Sequence, residues 1–198
     1  MLKLIKKHLD IPLINVSLVF AIVFSLFFNS AVLIYKFDHS KASYFKTILE
    51  LSKDFIYIYL CTAIIFFSLT THKIAFTLGS IFLFITGAIA SYFLCFFDIS
   101  PTTSVIGDLF STNLSKIHEA ISIKLVIWLI FSFLTCIYML KHFSVMNSKS
   151  LTTKLLSGIC LLIVINNIIT PQFKLFTNYF PIQYLHNSYL YFAKSNIK

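Results

Sequence analysis

Arginine is missing from this sequence altogether, and charge of either sign is scarce: 7 residues are acidic and 12% are charged, against 58% hydrophobic. A soluble domain carries about a quarter charged residues, so that class is excluded and the chain is read as an integral membrane protein. Without arginine there is also no forked donor for phosphate and base edges. The formal charge of +9 comes from lysines alone, placed between apolar runs. That placement points to anionic headgroups and topology signals and excludes nucleic acid as a partner.

The four cysteines, Cys61, Cys95, Cys136 and Cys160, fall inside apolar runs with no CxxC pair and no histidine at metal-ligand spacing. They are expected to act as small packing residues. Glycine and proline number 4 each, and neither a fixed-period repeat nor a low-complexity tract is present.

What the chain does have is a series of long apolar runs, giving a mean hydropathy of +0.88. The run from Leu13 to Tyr35 follows Lys3, Lys6 and Lys7. It is longer than the about 7–15 residues of a signal-peptide core, so it is expected to be an uncleaved first span. Asn15, Ser17, Asn29 and Ser30 along it are expected to face other helices. Lys36 to Asp54 is expected to be a short interfacial segment. Further spans are expected at about Phe55 to Thr71, Ile74 to Phe97, Ile123 to Leu140, with Trp128 near the interface, and Leu155 to Thr170. Asn166 and Asn167, near the end of the last, are expected to face the bundle or the interface.

This is an all-α pattern: five transmembrane helices in residues 1–171, then a tail, 172–198, broken by Pro181 and expected to lie at the interface. The N-terminus, the Lys73 turn and the segment from Lys141 to Lys154 hold seven lysines and one acid, Asp10; the other side holds nine lysines and six acids over more than twice the length. Lysine density therefore favours a cytoplasmic N-terminus and an extracytoplasmic C-terminus.

Most of the polar chemistry lies in one stretch, Ala90 to Ala120, where the third span gives way to a connector holding Asp98, Asp108, Thr112, Asn113, Lys116, His118 and Glu119. A lysine suits a phosphate and a carboxylate suits an ammonium, so the connector is a candidate headgroup site. A solvated loop is the competing reading. The acids and His118 match no compact metal-ligand motif, and Thr112 has no evident activating base.

Three local strings carry a resemblance: Ala90-Ser91-Tyr92-Phe93; the pair Thr112-Asn113, 19 and 20 residues beyond Phe93; and Tyr179-Phe180-Pro181, followed by Leu185 to Lys194. Their order and spacing resemble the N-terminal membrane domain of bacterial phosphoethanolamine transferases, the lipid A-modifying group that includes the colistin-resistance enzymes. The resemblance implies a periplasmic connector helix after the third span that binds the lipid donor through Asn, Thr four residues on, and Glu four after that. Here Thr112 keeps its place, while Asp108 stands at the Asn position and Lys116 at the Glu position. Glu119, seven beyond Thr112, would return to nearly the same helix face.

The resemblance also implies zinc and a threonine nucleophile in a soluble periplasmic domain beginning about where this chain stops. No cofactor is therefore expected in this chain, and zinc only in that absent domain. The implied function is donor binding and membrane anchoring in lipopolysaccharide modification, truncated or split and not catalytic alone. The implied partners are phosphatidylethanolamine, other membrane lipids and a separately encoded catalytic domain. A non-enzymatic inner-membrane protein, such as a small transporter subunit or an assembly factor, is the alternative. The few interruptions within the spans, Gly79, Gly87 and Gly158, argue mildly against transport.

Overall fold

A computed structural model describes residues 11–38, 40, 43–70, 72–97, 122–143, 150–169 and 181–195. They form six α-helices: α1 (Ile11–Asp38), α2 (Tyr44–Leu69), α3 (Lys73–Phe97), α4 (Ile123–His142), α5 (Leu151–Ile169) and α6 (Ile182–Ser195). No strand occurs among the described residues. Apolar sequence favours this outcome in lipid, because a helix satisfies its own backbone donors and acceptors where no water is present. Leu13–Ser30, Lys73–Cys95 and Ile123–His142 are long and apolar enough to cross a membrane, and Leu151–Asn166 is a shorter apolar helix.

Two segments expected at the interface are largely helical. The polar stretch from Lys36 to Asp54 is mostly helical, with α1 running to Asp38 and α2 starting at Tyr44. Lys46, Glu50 and Lys53 are exposed on α2, so the charges remain solvated without breaking the backbone pattern. In the tail, the helix begins directly after Pro181, whose carbonyl accepts from Leu185 N at 3.3 Å. A proline at a helix start removes only a donor that lacks an intrahelical partner there.

In space α1 packs on both α2 and α3; α4 packs on α3 and reaches α1 through Trp128 and Phe131, α5 packs on α2, and α6 on α5. The core where α1, α2 and α3 meet is built from phenyl rings. Phe20, Phe24 and Phe28, spaced one turn apart on α1, meet Phe66 of α2 and Phe76 and Phe84 of α3, and all six are at most 1% exposed. Phe24 sits 4.7 Å from Phe28, 5.9 Å from Phe66 and 5.8 Å from Phe84, each edge to face. That geometry sets ring edges against ring faces and is favoured over sandwich stacking.

A second face of α1, Ser17, Ala21, Ser25 and Asn29, is also buried at successive turns. Small residues let helix backbones approach where lipid tails offer no hydrophobic drive. Ser17 donates to Ile14 O at 2.7 Å and Thr62 of α2 to Ile58 O at 2.7 Å, each within its own helix, whereas the buried hydroxyls of Ser25 and of Ser80 on α3 have no partner among the described residues. Asn29 is buried as expected, whereas Asn15 is exposed.

The two glycines of α3 differ in what surrounds them. A Cβ on Gly87 would lie 3.0 Å from both Phe24 and Phe28, inside the ring cluster; on Gly79 it would meet the free end of Leu69 at 2.7 Å. Rings packed on all sides cannot retreat, but a leucine terminus can. Gly87→Leu is therefore expected to destabilise the bundle by about 1–3 kcal/mol, while Gly79→Ala stays within about 1 kcal/mol of the parent. Reversible denaturant titration in micelles, followed by circular dichroism, checks both; equal losses at the two positions would contradict this packing.

Candidate functional site at the α3–α4 connector

The C-terminal end of α3 and the N-terminal end of α4 are tied together by side chains from both. Ser122 is the N-cap of α4, in an extended conformation, and its hydroxyl accepts from Leu125 N at 3.4 Å. Such a cap satisfies a donor that the first helical turn leaves open. The same hydroxyl is bonded to the phenol of Tyr92, one turn and a half before the end of α3. Next to it, Trp128 Nε1 donates to Ser91 Oγ at 3.1 Å, and Ser91 Oγ donates to Ala88 O at 3.1 Å. A third link, Ser132 Oγ to Phe84 O at 3.0 Å, lies one helical turn further into the bundle.

These bonds lie in an apolar setting. Ser91, Tyr92 and Ser132 are all buried, and a buried polar group without a partner costs more than the bond itself contributes. The pairing therefore fixes the register of α3 against α4 as well as their proximity. Trp128 is not a free interfacial anchor: its indole packs on Phe131 at 5.9 Å and on Phe27 and Phe28 of α1, each at 6.4 Å. Its ring and its N–H thus join α4 to both α1 and α3. Buried Leu125, Ser132, Cys136 and Met139 form the rest of that face, a helical stripe legible in the sequence had it been weighed against the usual interfacial role of tryptophan.

At the same end of the bundle, Lys36 Nζ of α1 donates to Asp54 Oδ2 of α2 at 3.2 Å. This pair is partly exposed and contributes at most about 1 kcal/mol, so it aligns the α1–α2 hairpin more than it stabilises it. Ser40 Oγ and Thr47 Oγ1, 2.7 Å apart, close the turn beside it. His186 Nδ1 of α6 bonds Ile168 O near the end of α5, holding the tail helix against the bundle.

The candidate headgroup residues Asp108, Thr112, Lys116 and Glu119 lie outside the described residues, as do Asp98, Asn113 and His118. The described structure places the ends of the segment that carries them. All four cysteines are free thiols. No three His, Cys, Asp or Glu side chains gather into a possible metal site among the described residues.

Apolar helices of spanning length, packed through rings and small residues and joined at one end by buried polar links, define a helical membrane protein. Residues 59–190, two thirds of the 198, match the family model for phosphoethanolamine transferase EptA/EptB, which describes the N-terminal membrane domain of these enzymes. The chain belongs to this family. No curated protein and no solved structure matches it. The matched stretch includes the connector and both helices that hold it, whereas α1, which supplies half of the ring cluster, lies outside it.

Trp128 is the only tryptophan, so its emission reports on this site alone. Ser91→Ala is expected to shift that emission to shorter wavelength by removing the acceptor of the indole N–H. Tyr92→Phe is expected to leave the emission nearly unchanged while lowering stability by about 0.5–1.5 kcal/mol. Fluorescence and thermal unfolding in micelles check the pair of outcomes.

Proposed function

We propose that this chain is the membrane-anchoring and donor-binding part of a phosphoethanolamine transferase acting in lipid A or lipopolysaccharide modification. The observation that carries the reading is the family match across residues 59–190, a range that includes the connector. The donor is phosphatidylethanolamine, and the connector is its headgroup site. Lys116 pairs with the phosphodiester, the Thr112 hydroxyl donates to a phosphate oxygen, and Asp108 and Glu119 accept from the ethanolamine ammonium. On a helix Asp108, Thr112 and Lys116 would follow one another at one-turn intervals, with Glu119 beside them.

In this reading the protein crosses the bacterial inner membrane five times with its N-terminus in the cytoplasm. Support comes from the lysine distribution together with the antiparallel packing of α1 with α2 and of α3 with α4. That packing brings the start of α1, the end of α2 with the start of α3, and the end of α4 with the start of α5 to one end, and the lysine-rich segments adjoin these helix ends in the sequence. The connector then opens to the periplasm with α6. Transfer itself, and the zinc it uses, is assigned to the periplasmic catalytic domain of such transferases, docked on this end.

The experiment is lipid retention by the purified protein. Thr112→Ala combined with Glu119→Ala is expected to lower the phosphatidylethanolamine that co-purifies by about tenfold, on the scale of two hydrogen bonds to charged groups partly replaced by water. Phosphatidylethanolamine retained at the parental level would remove the connector from the donor site.

A further inference from the structure

At the end of the bundle opposite the connector, α1, α2 and α5 leave a groove of about 450 Å³ between them, within the roughly 300–1,000 Å³ of ligand pockets. Its walls include Ser17 and Leu18 of α1, Ala63 and Phe67 of α2, and Leu156 and Cys160 of α5. The groove exists because Ser17 and Ala63 are small where α1 and α2 meet, so the surface recedes there while α5 stands beyond it.

We propose that this groove holds one acyl chain of an anionic phospholipid drawn from the leaflet at the lysine-rich end, a site separate from the donor site at the connector. The walls select hydrocarbon. Ser17 has the one hydroxyl among the six residues named, and it already donates to Ile14 O at 2.7 Å, which leaves only the weak S–H donor of Cys160 for a polar ligand. The groove lies within the apolar windows Leu13–Ser30 and Leu151–Asn166, at the depth of lipid tails. On α2 its wall runs from Leu60 to Phe67, about 10 Å of helix rise, which covers much of a leaflet about 15 Å thick.

The headgroup is selected by charge. Lys154 lies on α5 two residues before Leu156, and Lys73 opens α3 six residues after Phe67; both are exposed. In the sequence, the segments that adjoin these helix ends carry seven lysines and one acid, Asp10. Lipid tails gain nothing by leaving other tails, so an apolar groove alone retains no particular lipid. The lysines supply the preference, and the groove supplies van der Waals contact along the chain.

The test uses the full chain in nanodiscs of equal phosphatidylglycerol and phosphatidylcholine, followed by native mass spectrometry of the lipid kept after extraction. The parent is expected to retain phosphatidylglycerol in preference to phosphatidylcholine. Leu156→Trp fills the groove from the lipid-facing side and is expected to lower total retention at least fivefold with helix content unchanged. Ala63→Leu, a smaller filling from the opposite wall, is expected to act in the same direction. Lys73→Gln with Lys154→Gln is expected to lower the phosphatidylglycerol preference by about 25-fold, at about fivefold for each lysine near the surface, while total retention holds. Equal retention of the two lipids by the parent overturns the proposal, as does full retention in both filled variants. A parental dimer that Leu156→Trp converts to monomer would overturn it too, by assigning the groove to a second copy of the chain.

Discussion

The contact on which the rest of the bundle depends is the meeting of Phe24 with Phe28, Phe66 and Phe84. In water such rings would be driven together by removal of apolar surface. In a bilayer that drive is missing, and what remains is close contact and the fit of ring edge to ring face. The cluster tolerates no Cβ at Gly87 without displacement, so α1 and α3 are held at one separation. α2 joins the same cluster through Phe66, and α5 and α6 follow from α2.

A second constraint acts at the connector end. Where α3 and α4 leave the ring cluster, their register is set by hydrogen bonds from Tyr92, Trp128 and Ser132. Directional bonds suit this end because the connector must leave from a fixed pair of points. If those points moved, side chains on the connector would lose any common orientation toward a headgroup. The family string Ala90-Ser91-Tyr92-Phe93 thus has a physical task here. Ser91 and Tyr92 are the α3 half of a clasp whose α4 half is Ser122 and Trp128.

Much of this was legible along the chain. Run length and hydropathy located the helices to within about a turn at most ends, and the spacing of three short strings pointed to the family that the match confirms. The polar stretch after the first span was harder to read. Local polarity suggested an interfacial segment but not its conformation, and the helices run through most of it, since Lys46, Glu50 and Lys53 on one helix can all reach solvent. Trp128 was also placed by its usual interfacial habit, and its partners proved to be Ser91 and three phenyl rings. An expected inward orientation held for Asn29 but not for Asn15, because a residue type does not specify which side of its helix meets a neighbour.

The sequence by itself determined that the chain is helical and belongs in a membrane, because hydrocarbon leaves the backbone no other partner and the scarcity of charge leaves the side chains no other solvent. It also held the distribution of lysine from which an orientation is argued. Only the tertiary structure decided that α1 packs on both α2 and α3, that Ser91 and Tyr92 reach across to α4, and that α1, α2 and α5 part to leave a groove. Those outcomes depend on which faces of similar apolar helices meet, and lipid is nearly indifferent to that choice. It is made by volume, ring geometry and a few hydrogen bonds between residues 30 to 48 positions apart in the chain.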